Sequence, residues 1–410
     1  MNTTDLERAL TGGPGWPPGL PPAGPLGGVR VLDLSRVLAG PYCCTVLADL
    51  GADVLKVERP GRGDDTRHWG PPFHGEDAVY FLAINRDRRS VAVDLTGAPG
   101  RAVVRRLTQT ADVVVENFLP RHLTALGLDG LREQTGAVWV SVRGAGGDGP
   151  DAELPGYDLM AQARSGLMSV TGTTEPTKVG VAVVDVVTGL YAAVGALAGL
   201  FARGRAGAAD PPLHVEVGLL EAAAAMLINQ AGNALIGGTT PSFAGNNHPN
   251  IAPYGPVACA DRPLVVGAGN DGQFAALCVA VGLVAEPRWS TNAGRVADST
   301  ALTAALAAIF GQQTAAEWAR VLGAAGVPCA VVQDPSALPD DPQILASGII
   351  QSLEHPAGPV RLVGSPYRLD GERPRVRRAP PLLGQHTVEV LSALGLSGSQ
   401  IREVSGADRG

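Results

Sequence analysis

The chain runs to 410 residues, 45% of them hydrophobic and 17% charged, with a formal net charge of -7. That is room for two or three domains and a substantial core, which excludes disorder or fibre for the bulk of the chain. The acidic balance, without a run of arginines, excludes nucleic acid as a partner; phosphate on a small ligand would fall to arginine, because Lys56 and Lys178 are the only lysines.

The N-terminal "MNTTDLERALTGGPGWPPGLPPAGPLGG" carries acidic residues where a signal peptide needs positive charge, and residues 1–27 read as a flexible Pro/Gly-rich tail. From Gly27 onward strands and helices alternate. "GVRVLDLS" is a short buried strand, "GPYCCTVLADLG" an Ala/Leu helix ending at Gly51, and "ADVLKVERP" a second strand closed by Pro60. The strand "SVAVDL", the helix "APGRAVVRRLTQT" and the strands "ADVVVENF" and "AVWVSVRG" follow. Repeated βα units with β-branched strands predict an α/β fold: an open, doubly wound, mostly parallel sheet of Rossmann-like form. Such sheets bind ligands at the carboxyl ends of their strands, here residues 35–40, 58–63, 116–120 and 143–146.

"VGVAVVDVVTGLYAAVGALAGLFA" holds a single ionisable residue, Asp185. Its first half is β-branched and its second half rich in Ala and Leu, which predicts a buried strand, a turn at residues 185–188 and a core helix stopping at Arg203-Gly204. A membrane span is disfavoured, since an Asp near its centre costs about 2.5–3.5 kcal/mol and no second span accompanies it. Asp185 then has two readings. It is a helix N-cap, or it is a carboxylate nucleophile or base beside amides that stabilise an oxyanion.

"LHVEVGLLEAAAAML" adds a strand and a helix, and the loop-rich "IGGTTPSFAGNNHPNIAPYGP" marks a boundary. The expected organisation is a large domain over residues 28–225, completed by 366–410, a smaller α+β domain over 226–331, and a linker over 332–365 containing "QDPSALPDDPQ". In the smaller domain "PLVVGAGNDGQFAALC" sets Gly267, Gly269 and Gly272 in the spacing of a dinucleotide fingerprint, with Glu286 about 20 residues beyond Gly267 as the ribose acid. The next segment, "GLVAEPRW", is a poor second strand, so an NAD-dependent oxidoreductase is the lowest-ranked reading.

The five cysteines, Cys43, Cys44, Cys259, Cys278 and Cys329, lack C-x-x-C or zinc spacing and read as reduced thiols of a cytoplasmic protein without a metal site. Cys43 and Cys44 fall inside an apolar helix and read as packing, and His68, His74 and His122 as solvent-facing or loop-capping residues. No Walker A, H-E-x-x-H or G-x-S-x-G occurs.

Seven segments in collinear order resemble family III (class III) CoA-transferases, the group of formyl-CoA and carnitine-CoA transferases. They are "GVRVLDLSRVLAGPYCCTVLADLGADVLKVERPGRGDDTR", "YFLAINRDRRSVAVDL", "ADVVVENF", "GYDLMAQARSGLMSVTG", "KVGVAVVDVVTGLYAAVGAL", "NNHPNIAPYGP" and "PPLLGQHT". The resemblance implies that Asp185, four residues before Gly189 in a "D-x-x-x-G" pattern, is the nucleophile. With a reference pKa of about 3.9 it is expected to be ionised at neutral pH and to attack a thioester without a general base. It would form a mixed anhydride with the acyl group and then an aspartyl-CoA thioester that a carboxylic acid acceptor resolves, in a site that excludes water.

For CoA, matched positions imply Val37, Leu38 and Ala39 after the first strand, Arg59 after the second, the segment from Val93 to Thr96, Asn117 with Phe118, and the segment from Leu154 to Tyr157. A family Arg falls on Ala125, which makes nearby Arg121 the candidate substitute; the formyl-CoA enzymes' Gln falls on Leu38, which disfavours oxalate as acceptor. Their glycine loop is reduced to Gly245-Asn246. Tyr157, Asp158 and Gly245 are therefore auxiliary candidates. A related branch racemises α-methylacyl-CoA with a His where Tyr157 stands, and Tyr is a poor base at neutral pH, so racemase is the alternative to transferase. The resemblance further implies an interlocked homodimer, with acyl-CoA as substrate, no permanently bound cofactor and no membrane partner.

Overall fold

A computed structural model of the chain describes residue 10 and residues 15–205, 213–243 and 245–406. The chain forms two compact units, one of Met1–Ser165, Gly180–Ile228 and Pro342–Gly410, the other of Gly166–Val179 and Asn229–Asp341. Within residues 332–365, expected as linker, the strands Ile350–Leu353 and Val360–Val363 pair as an antiparallel hairpin. Their register sets Ile350 against Val363 and places the hairpin in the larger unit.

The larger unit is built on six parallel strands: β1 (Arg30–Asp33), β2 (Asp53–Glu58), β3 (Arg88–Ala92), β4 (Val113–Glu116), β5 (Val138–Arg143) and β6 (His214–Gly218). Their order is β3-β2-β1-β4-β5-β6, all parallel. The order reverses between β1 and β4, and in sheets of this kind the crevice at the carboxyl ends of the two strands flanking that point is the ligand site. Buried Leu32, Leu55, Val91, Val114 and Trp139 form one core with helix α2 (Ala98–Thr110) and the C-terminal helices α5 (Thr387–Ala393) and α6 (Gly398–Val404). Helix α1 (Ala39–Asp49) and helix α4 (Val183–Arg205) pack together, and α4 also lies against β5 and β6. Gly195 and Gly199 face Val215 and Val138, where a Cβ would come within 2.4 and 2.5 Å of a methyl carbon. Small residues thus let α4 sink onto the sheet.

Two expectations change here. The β-branched stretch before Asp185 is not a strand: α4 begins at Val183, so Asp185 sits in its first turn. Strand propensity yields to tertiary context, because the ladder runs from β5 straight to β6 and leaves residues 179–187 no pairing partner. By length and composition α4 could cross a membrane, but its contacts with α1, β5 and β6 make it a core helix. Nor are residues 15–27 free. The Trp16 indole donates to Asp53 at 2.8 Å, and Arg89 donates to the Pro18 carbonyl at 2.7 Å. The rest of the expected tail, residues 1–9 and 11–14, lies outside the described residues.

The smaller unit carries a three-stranded antiparallel sheet of Tyr254–Ala258, Pro263–Gly267 and Cys329–Val331, with Pro263–Gly267 central. Leu264 and Val266 pack with Phe274, Leu277, Phe310 and Trp318. Gly267 therefore ends a strand with antiparallel neighbours, and the next helix, Asp271–Val281, is capped by the Asn270 side chain. A dinucleotide fingerprint needs a parallel βαβ unit, so the oxidoreductase reading of Gly267, Gly269 and Gly272 falls. Glu286, its supposed ribose acid, is paired with Arg288 at 2.8 Å.

Candidate active site

The turn after β1 is clamped from two sides. Arg36 N–H donates to Asn117 Oδ1 at 3.0 Å while Asn117 Nδ2 donates back to the Arg36 carbonyl at 2.8 Å, tying the end of β1 to the end of β4. Val37 N–H donates to Asp64, in the loop after β2, at 3.2 Å. Val37 has φ 72°, in the left-handed region that β-branched residues avoid. Helix α1 then starts, with Leu38 at its N-cap position and no side chain capping it. Pro41 in its first turn has no N–H to satisfy.

Asp185 reaches this turn because α4 crosses α1 closely at Gly189. A Cβ there would lie 2.6 Å from the Ala39 carbonyl oxygen and 3.2 Å from Tyr42. Asp185 is not the cap of its helix. That role is filled by Asp158, at the start of helix α3 (Asp158–Ser165), whose Oδ1 accepts from Val184 N–H at 2.8 Å and Asp185 N–H at 3.3 Å. Gln162 holds the other Asp158 oxygen at 2.6 Å. Asp158 thus takes two first-turn amides of α4, and uncapped α1 is the helix start that offers amides to a developing oxyanion.

Asp185 is only 7% exposed, and no protein donor reaches its carboxylate among the described residues. Burial first, and the Asp158 charge second, push its carboxyl up to about 7. The expectation of full ionisation at neutral pH is corrected by that environment: half of Asp185 is protonated near pH 7. Burial and then the Asp185, Asp158 and Asp64 charges push the Tyr80 hydroxyl up to about 12. Cys43 and Cys44 are fully buried in α1, and burial pushes both thiols up, which leaves neither a nucleophile.

Val37, Leu38, Ala39, Asn117, Phe118, Tyr157 and Asp185 line one cleft of about 200 Å³. Beside it Arg59, Val93, Thr96 and Phe118 line a second cleft of about 250 Å³, with Arg36 and Phe118 common to both. The 154–157 segment reaches the first cleft where Gly156 crosses Gly144, just past β5; a Cβ on Gly156 would lie 2.4 Å from the Gly144 Cα. Leu154 lines neither cleft and is 51% exposed. Arg121 lines neither: its guanidinium donates to the Glu153 carbonyl at 2.8 Å, with the Glu153 carboxylate 3.8 Å away. Gly245 belongs to the smaller unit, where its φ is 58° and its N–H bonds to the Gly172 carbonyl at 2.9 Å.

Sequence reasoning missed three residues here. Arg36 lines both clefts and holds Asp65 at 2.7 Å. His122 is exposed, as expected, and also lines the Asp185 cleft, a placement the sequence did not reveal. Asp64 is buried behind the turn. The "GDD" at residues 63–65, just past the second strand end, was the signal for Asp64; His122 gave none.

A parallel sheet with a buried carboxylate and an uncapped helix start at its order reversal defines an α/β enzyme that works on a ligand held over its strand ends. The chain belongs to CoA-transferase family III, whose sequence profile matches residues 26–387. It is 38% identical to succinyl-CoA:glutarate CoA-transferase of Homo sapiens, over 90% of this chain and 85% of that one. It is 40% identical to succinate–glutarate CoA-transferase of Agrobacterium fabrum, over 90% and 96%. Among solved structures, a CAIB/BAIF family protein from Brucella suis superposes with a TM-score of 0.80 at 38% identity, covering 90% of this chain and 99% of that one. The protein is a CoA-transferase, and its substrates are CoA thioesters and carboxylates.

Proposed function

We propose that Asp185 carries the transfer covalently. The Asp185 carboxylate attacks the acyl-CoA carbonyl, forming a mixed anhydride and releasing CoA thiolate. The thiolate then attacks the aspartyl carbonyl, giving an aspartyl-CoA thioester and freeing the first acid, which leaves with one Asp185 oxygen. The acceptor carboxylate attacks that thioester, thiolate is expelled again and attacks the acceptor's own carbonyl, and Asp185 is restored with one acceptor oxygen. No atom of water enters, which preserves the thioester energy.

The single observation that carries this reading is the placement of Asp185, buried, without a protein donor and with a raised pKa, in the cleft that the start of α1 also lines. A carboxylate stripped of hydrogen bonds is a better nucleophile than a solvated one, and the α1 amides supply the electrostatic stabilisation of the tetrahedral oxyanion. CoA extends into the adjoining cleft, with Arg59 as its phosphate contact. Asp158 orients the first turn of α4. The human and Agrobacterium relatives favour dicarboxylates of four and five carbons as the first donor and acceptor to test.

The experiment follows one oxygen. With acceptor acid labelled with ¹⁸O in its carboxylate, label is expected in the acid released from the donor during later turnovers. Released acid without label, at full transfer rate, removes the aspartyl route. A second reading, α-proton transfer, is favoured by His122 in the same cleft. Exchange of the α-hydrogen of a 2-methylacyl-CoA in heavy water, without oxygen transfer, selects it.

A further inference from the structure

Val37 poses a problem that the transfer chemistry leaves open. A β-branched residue at φ 72° is strained, and strain of this kind persists where surrounding groups over-determine it, often at active sites. Here the determinant is Asp64. Both of its carboxylate oxygens accept the Val37 N–H, at 3.2 and 3.3 Å. Asp64 is 1% exposed and is itself fixed by the Thr66 N–H at 3.0 Å and the Thr66 hydroxyl at 2.8 Å. The fully buried Lys56 ammonium stands 3.0 Å from it and donates to the Ser35 carbonyl at 2.8 Å, gripping the same turn from below. Burial works against the charge on Asp64, yet Lys56 and the Thr66 amide hold its carboxyl below the usual carboxylate range. The carboxylate is therefore ionised when it holds the turn.

We propose that Asp64 is a positioning residue of the transfer reaction: its Lys56-paired carboxylate holds Val37 in the left-handed conformation and so fixes the start of α1 beside Asp185. The inference rests on the reading of Asp185 as the reacting carboxylate. Asp64 lines the second cleft and not the one that holds Asp185; it acts through the Val37 amide on Leu38 and Ala39, the residues that open α1 in the Asp185 cleft.

The test is a rescue. Asp64→Ser keeps a hydroxyl to cap residues 65–68 but is too short to hold Val37. It is expected to lower kcat about tenfold or more while the acyl-CoA KM changes less than about threefold, since a small misplacement of the reacting groups costs rate. Asp64→Asn keeps one acceptor oxygen and should lose less. Glycine adopts positive φ without strain, so Asp64→Ser combined with Val37→Gly should recover most of the lost kcat. A double variant as slow as Asp64→Ser alone, or an Asp64→Ser enzyme at the wild-type rate, overturns the proposal.

Should Asp64→Ser not fold, Asp64→Asn with and without Val37→Gly gives the same comparison, and no recovery again overturns it. Wild-type enzyme that transfers CoA without labelling Asp185 defeats the covalent reading alone, and the rescue still decides the role of Asp64. If wild type transfers nothing, the turn is read directly by crystallography: residues 37–39 displaced in Asp64→Ser and restored in the double variant support the positioning role, and an Asp64→Ser structure that keeps the wild-type turn overturns it.

Discussion

Asp185 and Asp158 form a pair in which one carboxylate sets the properties of the other. Asp158 is spent on the α4 amides, so its charge stays close to Asp185 without satisfying it. The Asp185 pKa, raised to about 7 by burial and then by Asp158, fixes a sign for the pH dependence. The reactive form is the deprotonated one, so kcat/KM of the free enzyme should rise with pH and reach half its plateau near pH 7. Asp158→Asn removes the like charge while keeping an acceptor for the helix start. Its profile should shift to lower pH, by less than the full displacement because burial, the larger cause, remains. A pH profile unchanged in Asp158→Asn would show that the two carboxylates do not couple. The lone charge in an apolar run marked Asp185 in the sequence as a helix cap or a reacting carboxylate, and only the family resemblance chose between the two. Asp158 as its cap was not legible, because the two lie 27 residues apart and meet only through the fold.

The crossing of α4 on α1 is what delivers Asp185 to the strand ends, and Gly189 permits it. In Gly189→Ala the new methyl would fall 2.6 Å from the backbone oxygen of Ala39, which cannot swing aside as a flexible side chain would. Overpacking of this kind costs about 1–3 kcal/mol, and the helices should part enough to slow transfer at least about tenfold. Thermal melts and initial rates on one preparation check both, and a fully active, equally stable variant would contradict the crossing. At this scale β-strand texture misled: of the valines before Asp185, Val183 and Val184 open the helix, with Val184 buried, while Val181 precedes it and is 65% exposed, so an apolar β-branched run this short does not tell a strand from a helix start. The Gly267 to Gly272 spacing misled for a related reason. Spacing along the chain does not reveal whether the preceding strand has parallel or antiparallel neighbours, and here both are antiparallel.

For the whole molecule, alternation of β-branched and Ala/Leu segments announced a parallel α/β sheet, while the strand order was not legible, since it depends on which edges pair after the chain has crossed the sheet. The assembly of the larger unit from three segments is likewise a long-range property; Ser90 Oγ accepts from Gly384 N–H at 2.8 Å, across 294 positions of sequence. Among the described residues one face of α4 is apolar and uncovered, with Tyr191 48%, Val194 62% and Phe201 67% exposed. An apolar strip of that kind supports the homodimer we propose on the resemblance to interlocked family members. Sedimentation equilibrium should give twice the chain mass, and dilution should not release folded monomers, because interlocked chains separate only by unfolding. A folded monomer at micromolar concentration would contradict the interlock.

The central claim, a covalent Asp185 intermediate, is tested most directly by trapping. Enzyme incubated with succinyl-CoA, quenched in hydroxylamine and digested for mass spectrometry should carry a hydroxamate on Asp185, absent without thioester and absent in Asp185→Ala. Transfer that proceeds while Asp185 stays unmodified, or a hydroxamate found on another carboxylate, would contradict the account.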